Sequence, residues 1–211
     1  EVGSLLVGRT WTTFTDVGAA PATLDFEGSV SNVNRRQAQV RWTQPIFCDD
    51  VTLAIALEDT EFIVIPPPAV PGESRTPSPD LVARLRLERD WGNFQVAYLY
   101  RKGAFQPTGG RVMTGNAWGF NFTGRAYLRE FDSVLFQVAF GDGIESYRQA
   151  PDAAVDASGR IEVIPLIAWV LGYEVEWTDQ LSSTLVYSAG RGTNAAFQLA
   201  DAPQAAEYVA A

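Results

Sequence analysis

The sequence predicts an all-β protein, an antiparallel up-and-down transmembrane β-barrel whose apolar face points outward. Three observations predict it. Apolar and polar residues alternate with a period of two through most of the chain. Strand-like runs of about nine to eleven residues lie between turn signals, the length a tilted strand needs to cross hydrocarbon. Bulky rings occupy the apolar parity near strand ends, at Trp118, Phe140, Tyr98, Tyr100, Trp177 and Tyr187, with Trp91 in a turn; that is where rings meet the boundary between membrane and water.

The elements follow in order. The opening EVGSLLVGRTW is already strand-like and leads into a long segment, TFTDVGAAPATLDFEGSVSNVN. QAQVRWTQP then runs down to a turn near Cys48 to Asp50, with Pro45 ending the strand where a ladder donor is no longer needed. VTLAIALED returns with Leu53, Ile55 and Leu57 on one face. After the Pro-rich IVIPPPAVPGESRTPSPD, Arg84, Arg86 and Glu88 alternate with Leu85 and Leu87. A turn at Asp90 to Asn93 follows, and the returning strand sets Phe94, Val96, Tyr98 and Tyr100 against Gln95, Ala97 and Arg101.

Beyond AFQPTGGRVMT, Trp118, Phe120 and Phe122 alternate with Asn121, Thr123 and Arg125, and a turn around Glu130 to Asp132 leads to Val134, Phe136, Val138 and Phe140. GIESYRQAPDAAVDASG connects to VIPLIAWVLGY, and the pair in VEWTDQLSSTLVYSAGRG turns near Asp179 and Gln180. The chain thus supplies about nine strands and the start of a tenth near Glu207 to Val209. Short turns lie at one end and long loops rich in Pro, Gly and acids at the other, a rhythm that suits a meander and not a Greek key. A membrane barrel must close, because unpaired strand edges in hydrocarbon cost several kcal/mol per group. The chain therefore reads as a single β-barrel domain over residues 1–211, truncated at both ends.

Composition excludes whole classes of chemistry. The 211 residues carry a formal charge of −9 and no histidine. No basic surplus exists to displace counterions from nucleic acid, and His-dependent triads and zinc sites are absent. The single cysteine, Cys48, forms no internal disulfide and belongs to no metal-ligand spacing. No catalytic motif, cofactor fingerprint or metal set stands out; Asp142, Glu145, Asp152, Asp156 and Glu162 are acids whose spacing fits no EF-hand. Apolar alternation also occurs in soluble sheets. A soluble all-β carbohydrate-binding module using exposed aromatics is the alternative of a different class, and an outer-membrane barrel enzyme is a third.

Three stretches carry a family resemblance: G-R-T-W-x-x-F-x-D at 8–16, T-L-D-F at 23–26, and R-Q-x-Q-V-R-W-T-Q-P at 36–45. They resemble the signature region of DcaP-like outer-membrane porins. The resemblance covers the first quarter of the chain by motif and the rest by architecture. It implies a porin-like barrel of about sixteen strands, a homotrimer in the bacterial outer membrane, and passive uptake of small anionic solutes such as dicarboxylates.

If the apolar parity faces the lipid bilayer, the lumen receives Arg41, Arg84, Arg86, Arg101, Arg125 and Arg129. Arg41, Arg84, Arg86 and Arg125 fall near mid-strand, where a constriction acts. The intervening strands offer small or neutral lumen residues, among them Thr52, Ala54, Ala56, Gln95, Ala97, Gln137 and Ala139, so long guanidinium groups have room to form a cationic ladder. The planar guanidinium fork suits a carboxylate. The bland alternative is structural pairing with Glu58, Glu88, Glu162, Glu174 or Glu176.

The segment 14–34 is the candidate constriction loop. It carries Asp16, Asp25 and Glu27 beside apolar Leu24 and Phe26. Ile164, Leu166, Ala168 and Val170 fall on the lumen parity, where they need an apolar cover that an inward-folded loop can supply.

Overall fold

The computed structural model describes residues 3–24, 28–29, 31–59, 61–66, 70–129, 131–156, 158, 160–193 and 208–210. Among them, nine long strands form one antiparallel meander: β1 (Leu5–Trp11), β2 (Arg36–Ile46), β3 (Cys48–Asp59), β6 (Asp80–Arg89), β7 (Gly92–Pro107), β8 (Met113–Arg129), β9 (Asp132–Asp142), β12 (Pro165–Thr178) and β13 (Leu181–Gly192). The short β14 (Tyr208–Ala210) begins a tenth, and β5 (Gly72–Arg75) pairs beside β7. Consecutive strands are neighbours throughout, as an up-and-down order requires.

The two faces separate by parity. The outer face carries Val7, Val40, Trp42, Ile55, Leu57, Leu85, Phe94, Trp118, Ile167, Leu171 and Leu185, all exposed. Phe120, Phe122 and Phe140 lie on this face as a stacked patch with centroids 5.8–6.1 Å apart. Exposed rings and aliphatics in continuous rows would be an aggregation hazard in water and are a solvation surface in lipid.

The inner face is a packed one. Ala54, Ala56, Val82, Ala97, Leu99, Leu135, Ala139, Leu166, Ala168 and Val170 are buried there, covered by the connection between β1 and β2 and by the connection between β9 and β12. Phe14 and Val33 from the first and Ile144 and Tyr147 from the second join one apolar cluster with Leu166 and Ala168. Phe14 meets Tyr147 edge-on at 5.3 Å, a favourable ring geometry. Leu24 is fully exposed and contributes nothing to this cover; the apolar cap comes from Phe14 and from the later connection instead.

Two details depart from the sequence pattern. The β2–β3 turn sits at Phe47, whose φ of 63° is left-handed, directly after a register shift between Pro45 and Ile46. That places the turn a residue or more before the stretch that the sequence suggests, with strand parity unchanged. β7 and β8 are the longest strands described, at 16 and 17 residues, followed by β12 at 14. Their long-loop ends support a second small sheet of β4 (Val64–Ile65), β10 (Ala153–Val155) and β11 (Ile161–Val163), in which β10 pairs parallel to β4. Phe62, Val64, Phe105, Ala117, Ala153 and Val155 form the core between them. Phe62 lies so close to Gly103 that a Cβ there would meet its ring at 2.1 Å, so only glycine fits.

Candidate functional site

The site grows from the segment after β1. Thr12 Oγ1 donates to Glu58 Oε2 at 2.5 Å and the Thr13 N–H donates to Glu58 Oε1 at 2.7 Å, while Gln37 Nε2 donates to the same carboxylate. Glu58 on β3 is fully buried and its negative charge is met by these donors. The Phe14 carbonyl accepts from Asn121 Nδ2 on β8 at 2.8 Å, and further on the Ser31 carbonyl accepts from Gln137 Nε2 on β9 at 3.1 Å. The described part of this segment therefore lies along the inner face from β3 to β9.

Asp16 is its central polar anchor. Its Oδ1 accepts from the Gly18 N–H at 2.9 Å and pairs with Arg86; its Oδ2 accepts from Asn93 Nδ2 at 2.8 Å and Thr123 Oγ1 at 3.0 Å. The bond to Gly18 caps a single 3-10 turn over Val17–Ala19. Arg125 continues the contact: Nε donates to the Gly18 carbonyl at 2.8 Å, Nη2 to the Ala20 carbonyl at 3.0 Å, and Nη1 to Ser133 Oγ at 3.1 Å while pairing with Glu174. Glu174 in turn accepts from the Ala22 N–H at 2.7 Å.

Three arginines converge beside this anchor. Arg41, Arg84 and Arg86 line a cleft of about 330 Å³ together with Thr10, Thr12, Thr15 and Asp16. Ala56 lies opposite Arg41 and Ala54 opposite Arg84, so the two positions of β3 that face these arginines present only methyl groups. Arg86 is paired with Asp16 and, at 3.3 Å, with Glu88. Arg41 and Arg84 have no ion pair among the described residues, and the Nε of each is buried without a hydrogen-bond partner. Two guanidinium groups without an ion pair among the described residues, beside a third, give a local excess of positive charge in a chain that is negative as a whole.

The remaining sequence candidates divide. Arg101 is 1% exposed. It pairs with Asp80 and Asp152, both at 3.2 Å, donates to Ser146 Oγ at 2.7 Å, and lies 5.0 Å from the Phe62 ring. It is enclosed by its partners and presents no free donor to the cleft. The Arg129 side chain, Asp25 and Glu27 lie outside the described residues, as does Phe26. Of the loop acids, Asp142 accepts from Trp118 Nε1, Glu145 pairs with Arg148 and Asp156 with Arg160. Burial pushes the Asp152 carboxyl up to about 6, against the pull of Arg101 and of the Ser146 and Ile63 N–H donors. Burial likewise raises Glu145, opposed by Arg148.

Sequence reasoning passed over Thr12, Asn93, Thr123 and Tyr147, which hold the segment in place. The one local signal was the T-T-F-T-D run, in which hydroxyls flank a ring and precede an acid.

One family model and one solved structure agree with this architecture. The family model described as DcaP outer membrane protein matches residues 1–207. Among solved structures, the outer membrane channel DcaP of Acinetobacter baumannii superimposes with a TM-score of 0.79 at 20% identity, over 90% of this chain and 53% of that one. OmpT of Vibrio cholerae gives a TM-score of 0.46 at 11% identity, over 90% of this chain and 66% of that one. No curated protein sequence matches. The chain spans about half the length of the solved DcaP channel. With the family matched over nearly the whole chain, the exposed rings of the outer face are a lipid contact and not a polysaccharide grip. The chain belongs to the DcaP outer membrane protein family and resides in the bacterial outer membrane.

Proposed function

We propose that the complete protein is a porin giving passive diffusion of small hydrophilic solutes, that its pore selects anions, and that Arg41, Arg84 and Arg86 are the selecting groups. The carrying observation is that Arg41 and Arg84 line a cleft with no acid in ion-pair reach among the described residues. A planar carboxylate is the solute class that two neighbouring guanidinium forks recognise best. In this reading, the segment 14–34, with Asp16, Asp25 and Glu27, is the constriction loop, and Arg125 and Glu174 hold its middle. Arg101 serves the packing of the outer loops, and Arg129 belongs to the mouth at the short-turn end. No bond chemistry is involved; pore width and lining charge do the selecting. The homotrimer implied by the sequence resemblance is part of the same proposal.

Reversal potentials of the full-length protein in planar bilayers, under a gradient of a dicarboxylate salt, test it. R41Q/R84Q is expected to lower the anion-to-cation permeability ratio severalfold, whereas R160Q, in an outer loop, leaves it unchanged. An unaltered ratio in R41Q/R84Q refutes the selectivity assignment.

A further inference from the structure

A second basic cluster lies on the other side of the wall. Arg9 and Trp11 on β1 and Arg36 on β2 follow the outward parity, in line with the exposed Leu5, Val7, Val40 and Trp42. Trp11 pairs with Arg36 and Arg9 with Ala38, so Arg9 and Arg36 are diagonal neighbours, roughly 7–8 Å apart along the sheet. β1 runs toward the long connection and β2 runs away from it. Read from the short-turn end, the outer surface of this strand pair is therefore apolar through Leu5, Trp42, Val7 and Val40, and becomes basic at Arg9 and Arg36.

Long loops mark the external side of an outer-membrane barrel. The basic pair thus stands at the upper edge of the hydrocarbon band, in the external leaflet. Both side chains are exposed and neither makes an ion pair among the described residues. Arg36 lies over the Trp11 ring at 5.4 Å, which orders its guanidinium without neutralising it. A cleft of about 440 Å³ opens beside them, lined also by Arg35, Asn34, Gln149 and Glu61. Arg35 is tethered to the Ser146 carbonyl at 2.5 Å. The lining of the cleft thus carries three arginines and one acid, Glu61.

We propose that Arg9 and Arg36, with Trp11 as their platform, form a binding site for the phosphate of a phosphorylated glycolipid headgroup in the outer leaflet. The acyl chains of that lipid lie along Leu5, Val7, Val40 and Trp42. Arginine forks bind phosphate in a bidentate manner, and a basic pocket directly above an apolar strip matches the two ends of such a lipid. The site stands on the outer-membrane residence of the chain and is independent of what the pore conducts.

The test uses the full-length protein folded in mild detergent, titrated with a diphosphorylated glycolipid, its dephosphorylated form, and inorganic phosphate, with bound lipid counted by native mass spectrometry. Wild type is expected to bind the diphosphorylated form in preference to the other two. R9Q/R36Q is expected to bind it roughly thirtyfold more weakly, each interfacial arginine contributing about fivefold. R111Q, removing a charge from another long loop, leaves binding intact. R9K/R36K, which keeps the charge, stays within a few fold of wild type and separates loss of charge from misfolding. Equal binding by R9Q/R36Q, or by the dephosphorylated lipid, overturns the site. Inorganic phosphate binding as tightly as the lipid overturns the lipid assignment, and an R9Q/R36Q effect confined to single-channel conductance overturns it in favour of pore entry.

Discussion

Asp16→Asn separates the electrostatic role of the loop anchor from its steric one, because the amide keeps the shape and loses the charge. Asp16 holds the Gly18 N–H and Arg86 on one oxygen and Asn93 and Thr123 on the other. An asparagine can keep its oxygen toward Gly18 and Arg86. Its Nδ2 then faces Asn93, whose amide can flip, and Thr123, whose hydroxyl can rotate to accept. What is lost is chiefly the charge-assisted part of the Arg86 contact, since charged hydrogen bonds contribute about 1.5–3 kcal/mol and neutral ones about 0.5–1.5. Docking of the segment is expected to weaken by roughly 1–2 kcal/mol, so that the loop opens about ten times more often.

Asp16→Ala is the harsher change. It leaves Arg86, whose side chain is 18% exposed, with only the solvent-facing Glu88, a loss on the order of 3–5 kcal/mol for a broken buried pair. In both variants one negative charge disappears beside Arg41, Arg84 and Arg86. Reversal potential and hydrogen exchange of residues 12–24 read the two effects separately. D16N should move the permeability ratio toward anions and raise exchange about tenfold. If exchange rises while selectivity stays fixed, the arginine cleft is not on the conduction path. If neither changes, Asp16 is not the anchor.

Three further outcomes follow from the packing. Phe14→Ala removes a fully buried ring and its edge contact with Tyr147; a loss of about 3–5 kcal/mol should undock the loop and appear as larger, noisier single-channel currents, and unchanged currents refute the cover role. Phe122→Arg places a charge at the centre of the outer face, opposite Val96 and Val138, and should destabilise the protein in vesicles by about 2–4 kcal/mol; near-zero cost by urea unfolding means that this face is not in lipid. Asp152 titrates near 6 when folded against 3.8 for the free side chain. The folded state takes up its proton first, so the linked stability is fully present below about pH 4 and lost as pH rises through about 6. Wild type should therefore gain on D152N as pH falls from 7 to 4, by roughly 3 kcal/mol at most, and a difference independent of pH in denaturant titrations refutes the assignment.

Strand parity was legible because it is local. Arg84 and Arg86 point one way and Leu85 and Leu87 the other by the pleat alone, and no tertiary contact can change that without a register slip. The fates of individual arginines were not. Arg84 and Arg101 share a residue type and an inward parity, yet one faces an open cleft and the other is enclosed. The difference is made by Asp152 and Tyr147, which arrive from a connection more than forty residues further along the chain. The cover over Leu166 was foreseeable as a need but not in its source: Phe14 and Ile144 supply it while Leu24 stays in solvent. The small sheet had no signature, because its parallel pairing of Ala153 with Val64 joins two short pieces of separate loops.

The segment after β1 also has a mechanical consequence. It bonds to Glu58 on β3, Asn121 on β8, Gln137 on β9 and Glu174 on β12, staves that are not all neighbours in the wall. A tether that fastens distant staves to each other acts like a chord across a bow, and the wall cannot flatten without snapping several bonds at once. Resistance of the wall to bending thus resides partly in a connection outside the long strands, and whatever loosens the described bonds of that connection also lets the cross-section of the proposed pore change shape.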